Sequence, residues 1–104
     1  MKQIFIDKFI IPAIAEKEFT EQMNYNRNFI KKLDGFIKDT VYKRTGDAGN
    51  LVVITIAIWD GTEVLEKAKQ AVQAEYQRIG FNPSEFMAKL NITMERDIYN
   101  ESAD

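Results

Sequence analysis

Nine consecutive residues, Leu51 to Trp59, read LVVITIAIW, with Thr55 as the single polar side chain. A strand that is apolar in both of its alternating phases cannot sit at an edge with one face in water. It asks for cover above and below and for a neighbour on each side. The segment therefore predicts the centre of a sheet, and the rest of the chain has to be built around it. Gln3 to Ile11 (QIFIDKFII) is the second such stretch, β-branched and aromatic with one polar pair in the middle. Pro12 ends it, because proline brings no N–H to a ladder.

The remaining segments alternate with these two. From Ala15 to Leu33 the apolar residues Phe19, Met23, Ile30 and Leu33 recur at helical spacing, and Gly35 supplies a stop. Phe36 to Thr45 mixes aromatic, β-branched and charged residues, as an edge strand does. Residues 46–50, rich in Gly, Asp and Asn, turn the chain back into Leu51–Trp59, so the two strands form a hairpin. A second helix follows Asp60 and Gly61, with Thr62 expected as its N-cap and Leu65, Ala68, Val72, Tyr76 and Ile79 along one stripe. Gly80 closes it, Asn82 to Glu85 open a short extra turn carrying Phe86, Met87 and Leu90, and Ile92 to Asn100 form the last strand. The order β-α-β-β-α-β over a single domain, residues 1–104, predicts an α+β, ferredoxin-like fold. Four antiparallel strands carry two helices on one face, and right-handed crossovers set the first and third strands in the centre.

Composition removes many functions. Fourteen Lys and Arg against sixteen Asp and Glu leave a net charge of −2, with no basic field for nucleic acid. The chain has neither Cys nor His, which excludes disulfides, thiolate nucleophiles, Ser–His pairs and imidazole metal sites. Any catalysis falls to carboxylates, Lys, Tyr, Arg or the surroundings of a bound substrate, and no metal or other cofactor is expected. No apolar run approaches the roughly 20 residues that span a bilayer, and Met1 leads straight into a strand, so no membrane partner and a cytoplasmic location are expected.

With helices on one face only, the other face must be covered by something else. The uniformly β-branched phase, Val52, Ile54, Ile56 and Ile58 with Ile4, Ile6 and Ile10, suits the helix side. That assignment leaves Phe5, Asp7, Phe9, Ile11, Leu51, Val53, Thr55, Ala57 and Trp59 on the open side, too apolar a patch to face water. A second copy of the same sheet, related by a two-fold axis, is the economical cover, with a cavity left beside Trp59 where Thr55 and Ala57 are small. The competing arrangement is a monomer whose short third helix folds across the sheet.

Leu33-Asp34-Gly35-Phe36 before the second strand, and a third strand ending in Ile58-Trp59-Asp60 just ahead of the second helix, resemble the antibiotic biosynthesis monooxygenase family, the dimeric α+β barrel proteins. The resemblance covers roughly Gln3 to Tyr99. It implies a homodimer through sheet faces and a cofactor-independent monooxygenase acting on a small aromatic or quinone-like metabolite in an apolar pocket. The alternatives are a non-catalytic ligand-binding dimer and a purely structural one. Haem-degrading relatives of this fold combine a strand-one Asn, a Trp ending the third strand and a helical His. Trp59 matches the Trp and Asp7 falls where the Asn would be, but the stretch Lys69 to Val72 holds no His, which argues against haem degradation.

Within such a pocket Phe5, Phe9, Thr55, Ala57 and Trp59 are the expected substrate-binding residues, Trp59 as a wall for a flat ring or as interface filler. Asp7, between two phenylalanines, is either a desolvated general base or the partner of Lys43, Arg44 or Arg96. Tyr42 is the expected hydrogen-bond donor, ranked above Tyr76, whose place on an apolar helical stripe reads as core. Arg44 reads as a solvated edge residue, and Asn26 as a satisfied polar contact or a pocket residue.

Overall fold

The computed structural model describes residues 1–102 of the 104-residue chain. Strand β1 (Gln3–Ile11) runs through a short 3-10 turn (Ala13–Ala15) into helix α1 (Glu16–Ile30). The hairpin β2 (Phe36–Thr45) and β3 (Leu51–Trp59) follows, then α2 (Thr62–Ile79), α3 (Pro83–Lys89) and β4 (Thr93–Asn100). The sheet order is β2-β3-β1-β4 with every pair antiparallel, so the two most apolar strands are central, as their composition requires. This is the α+β ferredoxin-like fold. No helix among the described residues is long and apolar enough to cross a membrane.

Local chemistry places the boundaries. Gly80 adopts φ +69 and lets the Phe81 N–H reach back to the Tyr76 carbonyl at 2.9 Å, a left-handed cap that ends α2. Asn82 caps α3 by accepting the Glu85 N–H at 3.1 Å, with Pro83 in the first turn. Thr62 is not the cap of α2: it is already helical, and Gly61 at φ 146 holds the N-cap position without a side-chain bond. Helix α1 ends at Ile30, and tighter turns carry the chain through Leu33 to Gly35.

The sheet is inverted with respect to the expected facing. Ile11 and Val53, both at 0% exposure, pack with Ala15, Phe19, Met23 and Ile92 beneath α1. At the opposite end Ala57 and Trp59 pack with Leu65 and Ala68 of α2. The helices thus cover the phase that holds the aromatic residues and Asp7, and the isoleucine phase is the open face. The reason is that both phases are apolar enough to be dry, and the bulkier, more mixed one must fill the deep, uneven space under two helices. The uniform aliphatic one makes the flat surface.

Gly35 fixes the approach of α2 to the sheet. It sits at φ +81, its carbonyl accepts the Asp60 N–H at 2.9 Å, and a Cβ built on it would lie 2.4 Å from the Val64 Cβ. Gly35→Ala is therefore expected to lower the unfolding free energy by about 2–5 kcal/mol, left-handed strain added to overpacking. Gly49→Ala, at φ +78 with nothing within 4 Å, should lose only the strain, about 1–2 kcal/mol. Urea midpoints decide, and equal losses would mean that Val64 simply moves aside.

Candidate active site: a cavity between sheet and helices

The two apolar clusters leave the middle of the helix face unfilled. In register across the strands the central row reads Val41, Thr55, Asp7 and Arg96, flanked by Ala57 and Phe5 on one side and Val53 and Phe9 on the other. Small and polar side chains here do not reach α1 and α2, and a cavity of about 740 Å³ remains. That is within the range of small-molecule sites, a few hundred to a thousand cubic ångströms.

Asp7 is 6% exposed, and its two oxygens accept Arg96 Nε at 2.8 Å and Nη2 at 2.9 Å. The pair is cross-strand, Asp7 lying directly opposite Arg96 in the β1–β4 ladder. The guanidinium also sits 4.8 Å from the centre of the Phe5 ring. Hydrogen bonding to Asp7 raises the Arg96 pKa above its ordinary value, against the opposing effect of its partial burial. Of the two expected situations for Asp7 the ion pair is the one observed, with Arg96 rather than Lys43 or Arg44. Two of the carboxylate's four lone-pair positions stay unused by this fork.

A second pair stands at the α1 side of the cavity, where Arg27 Nε meets Asp39 Oδ2 at 2.5 Å. Asp39 reaches that side because β2 slips register between Phe36 and Lys38, a bulge that turns Asp39 to share a row with Ala57. Asp7, Asp39, Arg27 and Arg96 are thus matched in pairs, and Lys69, which also lines the cavity, pairs with Glu66 of its own helix at 3.4 Å.

Trp59 closes the far end of the chamber at 2% exposure, held edge-on by Phe36 with ring centres 5.5 Å apart. Its Nε1 is buried with no hydrogen-bond partner among the described residues. An orphaned buried donor costs about 1–3 kcal/mol, and because no water-sized space reaches this one, it faces packed side chains and not the open cavity.

The sequence-expected residues Phe5, Asp7, Phe9, Thr55, Ala57 and Trp59 all line this one cavity. It lies under the helices and not between two sheets, a correction that follows from the inverted facing. Tyr42 does not join them. It pairs with Ile54 on the opposite face of the sheet and is 60% exposed, so a full layer of backbone separates it from Asp7. Tyr76 is the tyrosine that lines the chamber. Burial raises its pKa above the ordinary value, while a hydrogen bond from Asn26 acts against the rise, and the fields of Arg96 and Asp7 also reach it. Arg27, Asp39 and Arg96 were not singled out as site residues. Arg96 was legible as a possible partner of Asp7, whereas Asp39 depends on a bulge that residue patterning does not announce. Arg44 is exposed on the open-face phase of β2.

Removing Arg96 should leave a buried carboxylate without its counter-charge. Arg96→Ala is expected to destabilise the fold by about 1–3 kcal/mol, less than for a fully buried pair because the arginine side chain is half exposed. Asp7→Asn combined with Arg96→Gln should recover part of this loss. Urea unfolding of the single and double variants measures the coupling, and simple additivity would show that the pair contributes nothing.

No family model and no curated protein matches the chain. Solved structures do. SnoaB, a cofactor-independent oxygenase from Streptomyces nogalater, is 19% identical with a TM-score of 0.68, covering 99% of this chain and 95% of that one. A Nitrosomonas europaea protein provisionally assigned as an antibiotic biosynthesis monooxygenase is 12% identical with a TM-score of 0.69, covering 98% and 91%. Foldit4, a de novo designed protein, reaches a TM-score of 0.64 at 10% identity, covering 98% and 100%. The chain accordingly has the fold, and resembles the structures, of the antibiotic biosynthesis monooxygenases.

Proposed function

We propose that the protein is a cytoplasmic homodimer that binds a small, flat, uncharged aromatic or quinone-like metabolite in the cavity and oxygenates it without metal or haem. The observation that carries this reading is the chamber itself: about 740 Å³, aromatic at its ends, with two acid–arginine pairs on its walls. A cofactor-independent oxygenase has the same fold, so the architecture is one that can house such a reaction.

In this reading Phe5, Phe9 and Trp59 flank the ring system, and the small Thr55 and Ala57 make room for it. The Tyr76 hydroxyl donates to a substrate oxygen, the role Tyr42 cannot fill from the other face. Asp7 uses its unused lone pairs to accept a proton from an activated ring carbon, and Arg96 balances the charge of the substrate anion. The carbanion adds dioxygen, the peroxide takes up the proton, and loss of water leaves a carbonyl where a CH₂ had been. Both faces of the sheet are then out of water, the open one against a second copy.

A non-catalytic binding module is the second reading, and the fork from Arg96 to Asp7 favours it, because a carboxylate already held is slower to act as a base. Two measurements separate the readings. Equilibrium dialysis with a panel of anthrones and hydroquinones reports binding in the parent and in a variant without its lone tryptophan alike, and oxygen consumption reports turnover. Tyr76→Phe should weaken binding about tenfold through the lost hydrogen bond. Asp7→Asn should keep binding and lower turnover by about 10²-fold or more. Binding without oxygen uptake selects the storage module. If Trp59→Phe and Asp7→Ala leave both quantities unchanged, the cavity is not the site.

A further inference from the structure

Of the two carboxylates in the chamber, Asp7 has both oxygens in the Arg96 fork, whereas Asp39 is held by one oxygen only. Arg27 Nε donates to its Oδ2 at 2.5 Å. The other oxygen, Oδ1, accepts no hydrogen bond among the described residues, and it is not sealed in the packing as Trp59 Nε1 is. The Asp39 side chain is 10% exposed and lines the cavity, so Oδ1 opens on chamber space. A half-used carboxylate in a mostly apolar chamber is a strong acceptor. A guest that expels water from it must bring a donor or leave it unpaired. Two features show that the position is built. Without the slip after Phe36, Lys38 would stand opposite Ala57; with it, Asp39 does. Arg27, reaching over from α1, pins one oxygen and thereby aims the other.

We propose that Asp39 is a specificity-determining residue: its Oδ1 accepts a hydrogen bond from a hydroxyl on the ring edge of the guest, while Tyr76 donates to a carbonyl oxygen at the far edge. The inference rests on the chamber being the binding site, as proposed above, and adds the chemistry of the two edges. Across one row of the sheet Asp39, Ala57 and Phe5 follow one another: an acceptor, a small floor and an aromatic wall. A ring lying on Ala57 presents its edge to Asp39. Tyr76 stands on α2 within the fields of Asp7 and Arg96, toward the β1 side, and two strand spacings, about 10 Å, separate the β2 and β1 columns. The guest class narrows to fused rings with a hydroxyl and a carbonyl on opposite sides. A ring with only acceptor oxygens at both edges sets a lone pair against the carboxylate. It is rejected about 10- to 100-fold, the effect of one hydrogen bond to a charged group.

Two uncharged probes that are inert to oxygen isolate binding from turnover. One is an anthraquinone with a ring amino group, which offers donors at that edge; the other is its methoxy counterpart, which offers only an acceptor. Equilibrium dialysis should show the parent binding the amino compound about 10- to 100-fold more tightly. Asp39→Asn keeps the shape of the side chain. Its carbonyl oxygen stays with the Arg27 N–H, which needs an acceptor, so its NH₂ takes the place of Oδ1 and donates. The preference should then shrink to parity or turn in favour of the methoxy compound, whereas a merely structural role would weaken both probes equally. Arg27→Ala combined with Asp39→Ala removes the whole ion pair and should bind the two probes alike, which answers the question even where a lone Arg27 keeps Asp39→Asn from folding. A parent that binds both probes equally, or a preference that survives either variant, would overturn the role of Asp39 while leaving the cavity standing as the site. Binding of neither probe would overturn the cavity reading, and the role of Asp39 with it.

Discussion

A carboxylate can lie beneath helices only if a counter-charge travels with it, and in this fold the counter-charge sits on the neighbouring strand. Asp7 and Arg96 face each other across the β1–β4 ladder, so forming the ladder forms the pair. Around that pair the helix face divides into two apolar clusters with a polar row between them. The cavity follows from this division. Long aliphatic side chains in the central row would have joined the clusters into one continuous core and left no chamber.

The sequence was a good guide to elements and a poor one to facing. Pro12 and Gly80 stop their elements where expected, α1 ends at Ile30 short of the expected Leu33 and its Gly35 stop, and the apolar runs in β1 and β3 place both strands at the centre. Of the expected stripe, Leu65 and Ala68 are buried and Val72 and Tyr76 line the chamber, whereas Ile79 at its end is exposed. Facing failed because hydropathy ranks the isoleucine phase above the phase with Asp7, Thr55 and two phenylalanines, and a ranking cannot tell a covered face from an equally dry interface. The six expected lining residues nevertheless stay together, since residues of one parity share a face whichever face it is. Tyr42 was lost through β2, where the slip after Phe36 changes parity and no residue type signals it.

Architecture and chemistry separate clearly here. A designed sequence shares the architecture at 10% identity, so the helices and the sheet alone carry no reaction. The chemistry of this chain lies in the content of the helix face: two acids matched with two arginines, an indole N–H with no acceptor among the described residues, and a tyrosine beside Asn26. Those groups sit on strands and long helices, which hold side chains more tightly than loops do.

Because β1 and β3 are each one residue thick, every second side chain belongs to the chamber and its neighbours to the outer surface. Inserting or deleting a single amino acid in either strand would exchange the two populations beyond that point, sending an aspartate outward and isoleucines inward. Such lineages can change length in the hairpin at residues 46–50, but hardly in the central strands. The parity slip in β2 shows where the architecture tolerates an extra residue: at the margin, where only one ladder has to adjust. Descendants of this protein should thus drift freely in composition while keeping the residue count of the middle strands almost frozen.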